Sequence, residues 1–291
     1  VLLVVALTSA LGQNNERVLF DMYQNNPGDP LGFQQSVLGG AETLSSLNFT
    51  ARCSTGEMNP LLVVNYSGFG VDVFPQGSPS AAWTQGTAGI VSRFIEETQA
   101  ANMKAYFFID LMVLPVSLLE GLGSDVVGKD GKIDFYANKT REVIARGIDQ
   151  LFELFPGTAG LVVRTGETYV FDTPYHKGNS PVSGGTSVQQ EKIWVDFISF
   201  LREVVCEKHE RALFFRTWDN FGGWSSPADY YLNVTQHIDP HPLLYFSIKH
   251  TAGDFFRYMD FNAQLGIGRH GQIVEVEVQR EYEGKVCGLV A

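Results

Sequence analysis

The sequence predicts a (β/α)8 barrel of the TIM type, because short apolar strand patterns alternate with longer amphipathic helix patterns along the chain. Strands and helices that alternate in this way form βαβ units and a parallel sheet. No strand pattern is followed by a glycine-rich phosphate-binding loop, which favours a barrel over a doubly wound sheet. The 291 residues are enough for one such domain.

Seven strand patterns and four helix patterns support this prediction. The strand patterns are RVLFDMY, PLLVVNYSG, KAYFFIDLM, GLVVRTGE, RALFFRTWDN, LLYFSIKH and QIVEVEVQRE. The helix patterns between them are FQQSVLGGAETLSSL, GIVSRFIEETQAANM, NKTREVIARGIDQLFELF and SVQQEKIWVDFISFLREVVCEKHE. No eighth strand pattern follows Glu281, so the barrel is predicted to be incomplete there. Because unpaired strand edges invite association, we expect self-association through the open edge.

The first residues, VLLVVALTSALGQ, form an apolar run that is too short to span a bilayer and that ends in small residues. This pattern is typical of the core of a signal peptide. Residues 1–12 are therefore predicted to be a signal-peptide remnant, residues 13–291 a single barrel domain, and the protein secreted and extracellular, with no membrane span. Without an initiator Met or a basic segment, we expect the sequence to begin inside a longer reading frame. The alternative is a buried first strand.

Asn-x-Ser/Thr triplets, the acceptors of N-linked glycans, agree with secretion. We predict glycans at Asn48, Asn138 and Asn233. Asn65 also lies in such a triplet, but it ends a strand pattern, where a glycan would block the barrel opening, so it is predicted to stay unmodified. One disulfide and one spare thiol can come from the three cysteines, Cys53, Cys206 and Cys287.

Charge and spacing exclude several other functions. A net charge of -11 without any basic run argues against nucleic-acid binding. The stretch QHIDPHP places two histidines and an aspartate at alternate positions, as in a metal site, but its prolines favour an ordinary turn-rich loop. We therefore predict no metal site in this loop.

Polar residues gather where the predicted strands end, which in a barrel is the open face that holds catalytic residues. They are Arg164, Glu167, Arg216, Asp219, Lys249, Asp254 and Glu281. Glycoside hydrolysis needs a protonated acid on one side of the scissile bond and a base on the other. Carboxylates on three different strand ends, at Glu167, Asp254 and Glu281, meet that requirement.

The last strand pattern predicts where some of these charges point. Side chains alternate across a strand, so the valines of QIVEVEVQRE face the helices and its acidic residues face the barrel axis. Carboxylates in that low dielectric need cationic partners, which Arg164, Arg216 and Lys249 can supply. For Glu275 and Glu277 we favour a structural ion network, and for Glu281 a functional role.

Four blocks, LVVRTGE, LFFRTWDN, SIKHTAGDFF and QIVEVEVQREYEG, resemble in order and separation the catalytic barrel of family 67 glycoside hydrolases, the α-glucuronidases. That family has a basic residue and then its acid glutamate after the fourth strand, and an arginine that ends the fifth. It also has an IK pair followed five residues later by an aspartate, and a final QEY-G run. The resemblance spans roughly residues 17 to 285, and the last two blocks match best.

The resemblance implies a role for each residue. Glu167 is implied to be the general acid, while Asp254 and Glu281 share the general-base role in an inverting reaction. The cations implied to grip the carboxylate of a uronic acid and the neighbouring hydroxyls are Arg164, Arg216 and Lys249. A guanidinium fork suits this task, because it binds a carboxylate through two parallel hydrogen bonds. The implied partner is a uronic-acid-bearing glycan.

The chain also departs from the family. The turn after the acid is not rich in glycine and proline but reads GETYVFDTPYHKG, and Tyr23 stands where the family has a tryptophan after its first strand. Trp218 and Trp224 flank DNFGG and are predicted to stack on sugar rings, whereas Trp194 in mid-helix is predicted to be core. The alternative function is a secreted glycan-binding or extracellular structural protein that kept the barrel and lost turnover.

Overall fold

The computed structural model describes residues 2–7, 19–22, 39–54, 59–165, 173–182, 185–218, 224–225, 227–253 and 259–277. The strands within them are β1 Leu2–Leu7, β2 Leu19–Met22, β3 Ala51–Ser54, β4 Lys104–Ile109, β5 Val113–Pro115, β6 Thr158–Val163, β7 His176–Gly178, β8 Ala212–Arg216, β9 Leu244–Lys249 and β10 Gly271–Glu277. The helices are α1 Ala41–Ser46, α2 Pro79–Ala100, α3 Val116–Leu122, α4 Thr140–Leu154, α5 Ser187–Leu201 and α6 Ala228–Thr235.

Eight of these strands close a barrel in the order β1, β10, β9, β8, β6, β4, β3 and β2. The seven strands other than β1 run parallel to one another, and helices lie between successive strands from β2 to β9 along the chain. The prediction of a (β/α) barrel with seven parallel strands is therefore confirmed. Outside the barrel, β5 and β7 pair as a small antiparallel sheet.

The remaining position in the barrel is taken by β1, which is antiparallel to both of its neighbours. It pairs with β10 from Leu2 opposite Glu277 to Leu7 opposite Gln272. On its other side it pairs with β2. The run predicted as the core of a signal peptide is thus a barrel strand in this structure. The prediction of an open edge is wrong, because β1 is paired on both sides. Self-association stays a prediction.

One of the seven predicted strands is also wrong. PLLVVNYSG does not join the sheet but begins with a 3-10 helix, Pro60–Val63. The Asn59 side chain accepts a hydrogen bond of 2.9 Å from the Leu61 backbone N–H, and Pro60 at the first helical position favours that turn. The strand at this place in the barrel is β3, with the sequence ARCS. Asn65 therefore does not lie at the end of a barrel strand.

The four predicted helices are confirmed in the described residues, and local signals explain where they begin. Ser78 caps the α2 backbone N–H of Ala81, with Pro79 next in the chain, and Thr186 forms a capping box with Gln189 at the start of α5. A π-helix, Arg202–Lys208, continues α5. None of the described helices combines the length and apolar composition that a membrane crossing requires.

Alternation along the barrel strands separates two cores. Outward-facing residues such as Phe107, Leu161, Phe215 and Phe246 pack under the helices, in one large apolar cluster. Inward-facing residues fill the barrel with a second cluster, which contains Ala51, Cys53, Tyr106, Phe108, Val162, Phe214 and Ile273. This inner cluster is the floor on which the candidate site lies.

Candidate active site

The inward-facing side chains change from apolar to charged at the carboxyl ends of four barrel strands. In each case a charged residue lies two positions after the last inward-facing apolar residue of the strand. We call these four residues the charged layer: Asp110, Arg164, Arg216 and Glu275. All four are buried. The layer lies where (β/α) barrels build their active sites.

Arg216 and Glu275 form one of two ion pairs in this layer. The Nε and Nη2 atoms of Arg216 donate hydrogen bonds of 2.6 Å each to the two carboxylate oxygens of Glu275. Ser247 on β9 adds a hydrogen bond of 2.7 Å from Oγ to Oε1 of the same carboxylate. Glu275 is only 1% exposed. The prediction that Glu275 faces the barrel axis and belongs to an ion network is therefore confirmed, whereas for Glu277 it stays a prediction.

Arg164 and Asp110 form the second pair. Nε of Arg164 donates to Oδ1 of Asp110 over 3.0 Å, and Nη2 donates to Oδ2. Burial raises the pKa of the Asp110 carboxyl, while the guanidinium groups of Arg164 and Arg216 oppose that rise. Sequence reasoning missed Asp110, although its alternation with Tyr106 and Phe108 in KAYFFID was a usable signal.

The Phe108 ring contacts the arginines of both ion pairs. The guanidinium carbon of Arg164 lies 5.2 Å from the centroid of the Phe108 ring, and that of Arg216 lies 5.0 Å from the same centroid. Both distances are within the range of a cation–π interaction. One aromatic ring of the inner cluster therefore supports both arginines.

Lys249 ends β9 beside the charged layer. In the parallel pairing of β9 with β10, it stands in register with Glu275. Its Nζ lies 3.5 Å from the centroid of the Trp218 ring, and this tryptophan is partly exposed. The structure thus gathers four of the predicted site residues at one end of the barrel: Arg164, Arg216, Lys249 and Trp218.

Trp224 does not belong to that group, and its predicted role in sugar stacking needs correction. Its side chain is fully buried and stacks on Trp194, with ring centroids 5.9 Å apart and planes inclined by 10°. Gln264 holds the segment by a hydrogen bond of 2.6 Å to the Trp224 carbonyl oxygen. Trp224 is thus part of the outer core, as is Trp194, for which a core position was predicted.

The remaining predicted site residues, Tyr23, Glu167, Asp254 and Glu281, lie outside the described residues, as does Asp219. In the sequence, Glu167 follows Arg164 by three residues and Asp254 follows Lys249 by five, while Glu281 follows Glu275 by six. In sequence order, the three predicted catalytic carboxylates therefore come after β6, β9 and β10. Their roles stay predictions.

The predicted glycosylation sites lie on the surface, and the two described cysteines lie in the apolar cores. Asn48, Asn138 and Asn233 are exposed, and their glycosylation stays a prediction. Cys53 and Cys206 are buried, while Cys287 lies outside the described residues. Burial raises the pKa of the Cys206 thiol to about 12, so this residue is no nucleophile at neutral pH.

No protein-family model and no curated protein matches the chain. Solved structures similar to it include a noncanonic maltogenic alpha-amylase from Thermotoga neapolitana, at 13% identity and a TM-score of 0.37, covering 71% of this chain and 43% of that one. A glycoside hydrolase family 5 enzyme from Prevotella bryantii has 13% identity, a TM-score of 0.40 and coverage of 75% and 55%. D-psicose 3-epimerase has 6% identity, a TM-score of 0.37 and coverage of 72% and 56%.

The chain thus spans about half the length of these structures, two of which are named as glycoside hydrolases or amylases. Identities and TM-scores this low add nothing to the strand order already described. The family 67 resemblance stays a prediction from the sequence.

Proposed function

We propose that the chain is a secreted glycoside hydrolase that acts on a uronic-acid-bearing glycan, in the manner of an α-glucuronidase. One observation carries the proposal: three basic side chains, Arg164, Arg216 and Lys249, meet at the carboxyl end of the barrel beside the partly exposed Trp218. Cations that bind a carboxylate and an aromatic ring that packs on a sugar are what such a substrate requires. A barrel enzyme binds its substrate at this end.

The proposed chemistry uses the predicted carboxylates. Glu167 protonates the leaving oxygen, and Asp254 with Glu281 activates the water that attacks the anomeric carbon from the opposite face. An inverting reaction needs acid and base carboxyl groups about 6.5–9.5 Å apart, so that a water molecule fits between the base and the sugar. The acid and the base are both side chains, so the proposal includes no metal and no cofactor.

The charged layer refines the role of the arginines. Each guanidinium directs Nε and Nη2 to a carboxylate of the protein itself, Asp110 or Glu275. A uronic acid carboxylate would therefore share the arginines with these groups. The ammonium of Lys249, which lies against Trp218, is the third cation at the same end of the barrel.

A second function is favoured by the same pairs. Because each arginine already has a bidentate carboxylate partner, the charged layer is stable as a structural network without any substrate. A glycan-binding or extracellular structural protein that has lost turnover fits this arrangement. The two functions differ in one measurable property, which is the cleavage of a bound glycan.

Two substitutions test the hydrolase. Glu167→Gln should abolish turnover of a glucuronic-acid-bearing glycan but largely spare a nitrophenyl glucuronoside, whose leaving group needs no protonation. Asp254→Asn should lower the turnover of both substrates, since water must be activated in either case. Glu153→Gln, which alters a surface carboxylate paired with Arg146, is the matched control and should change neither rate.

The outcomes separate the candidates. Release of product with inverted anomeric configuration, followed by NMR, supports the hydrolase. Wild-type protein that binds the glycan without ever cleaving it supports the binding protein. Equal slowing of both substrates by Glu167→Gln would remove Glu167 as the general acid.

A further inference from the structure

We propose that Asp110 and Glu275 are positioning residues that hold the guanidinium groups of Arg164 and Arg216 in fixed planes over Phe108, as a rigid floor of hydrogen-bond donors for the acidic sugar. This inference rests on the function proposed above, because it concerns the same site. Neither carboxylate is among the predicted catalytic residues, and neither is needed as the acid or the base.

The first support is geometric. An arginine side chain that is held by one hydrogen bond can still rotate, whereas two parallel bonds from Nε and Nη2 fix the plane of its guanidinium group. Both arginines have this bidentate arrangement. The entropy of ordering two long side chains is therefore lost on folding and not when a ligand binds.

The second support is electrostatic. The two guanidinium groups lie within 5.2 Å and 5.0 Å of one ring centroid, so two like charges are close together in a buried place. Like charges repel strongly at low effective dielectric constant. A carboxylate beside each arginine offsets this repulsion, while the Phe108 ring attracts both cations. The arginine pair thus depends on Asp110 and Glu275 for its position.

The third support is the rigidity of the surroundings. Ser247 on β9 holds Glu275 by a hydrogen bond of 2.7 Å, and the His250 backbone N–H donates to the Glu275 carbonyl oxygen over 2.9 Å. On the other side of the layer, the Arg164 backbone N–H donates to Ile109 over 2.9 Å. The Glu275 carboxylate is therefore held by a neighbouring strand, and the backbone next to Asp110 is paired with that of Arg164, the kind of support that keeps a binding group oriented.

The first experiment measures binding by calorimetry. A glucuronic-acid-containing oligosaccharide and its glucose counterpart are titrated into wild-type protein, Asp110→Asn and Glu275→Gln. Each variant should bind the acidic sugar about tenfold or more weakly, because an arginine that is no longer held loses charge-assisted hydrogen bonds to the ligand. Asp149→Asn, which alters a carboxylate paired with Lys208 on the helices outside the barrel, is the matched control and should bind as wild type does.

A second variant controls for the case in which a single substitution prevents the protein from folding. Asp110→Leu combined with Arg164→Met removes both charges of this pair, and it should fold because the replacement of a buried ion pair by apolar side chains of similar volume is often tolerated. It should bind the acidic sugar as weakly as Asp110→Asn does. Wild-type affinity in this double variant, or in both single variants, would overturn the proposal.

The other experiment needs no sugar. In wild-type protein the Nε–H groups of Arg164 and Arg216 should give NMR signals with slow solvent exchange, in contrast to that of the exposed Arg93. Asp110→Asn should speed the exchange for Arg164 only, and Glu275→Gln for Arg216 only. If wild-type protein binds neither sugar, the proposed function fails, and exchange that stays slow in both variants then overturns the positioning role as well.

Discussion

The two ends of the barrel interior differ in chemistry although the same strands build both. At the amino end the inward side chains are apolar, and Tyr106 and Phe214 meet edge to face with ring centroids 5.1 Å apart. At the carboxyl end the next inward positions hold the charged layer. Apolar packing tolerates small changes of shape, whereas a buried ion pair fails when one partner is lost. The comparison teaches that tolerance of substitution is divided along the barrel axis, because the apolar end adapts to small changes whereas the charged end depends on complete ion pairs.

The largest expected effect comes from breaking a pair of the charged layer. Glu275→Ala should lower the free energy of unfolding by about 3–5 kcal/mol, because it leaves the Arg216 guanidinium buried without its bidentate partner. Denaturant unfolding of the variant and of wild-type protein measures this loss. The comparison variant, Glu275→Leu with Arg216→Met, should lose much less, since both charges are gone. A double variant as unstable as Glu275→Ala would show that the lost stability comes from a change in side-chain packing and not from an unpaired charge.

A smaller effect is expected at the apolar end of the same strand. Ile273→Val should lower the free energy of unfolding by only about 0.5–1.5 kcal/mol, because it removes one methylene from a packed cluster. Calorimetric titration with the acidic sugar should give an unchanged affinity. Weaker binding by Ile273→Val would mean that the two ends of the barrel are coupled, which contradicts the division.

The smallest effect is expected for an ion pair outside the barrel. Asp149 accepts hydrogen bonds of 2.7 Å from Lys208 and from His209. Burial alone would raise the pKa of Asp149, but these partners hold it below its usual value of 3.8. A depressed carboxyl pKa stabilises the fold above the unfolded-state pKa, and this stability is lost as the pH falls through the folded-state pKa.

Asp149→Asn should therefore cost less than about 1 kcal/mol at neutral pH, as surface ion pairs do. The difference from wild type should shrink as the pH falls below 3.8. Unfolding free energies measured across that range test the sign. A difference that grows towards low pH would contradict it.

Much of the barrel could be predicted from local patterns, and the errors have physical causes. The outward apolar runs predicted six of the parallel strands correctly, because each is long enough to show its period. ARCS was missed, since four residues that include an arginine show no apolar period. PLLVVNYSG was predicted as a strand because an apolar run is buried in either conformation, and the Asn59 cap decides for a 3-10 helix.

The apolar run at the amino terminus could not be assigned from its local sequence either. Its apolar composition fits both a signal-peptide core and a barrel strand, so composition cannot separate the two. In the structure, Leu2–Leu7 pairs with β10 and β2 and closes the barrel. Which neighbours a strand finds depends on the whole sheet and not on the strand itself.

The sequence by itself determined which way the charges of the strand ends point. A period of two places Glu275 on the barrel axis, and it places Asp110, Arg164 and Arg216 there as well. Only the tertiary structure decided which charges pair. Arg164 pairs with Asp110, which lies 54 residues earlier in the chain, and Arg216 pairs with Glu275, which lies 59 residues later. These partners follow from strand order and register in the closed barrel, which bring distant residues within hydrogen-bonding distance, and no local pattern contains that information.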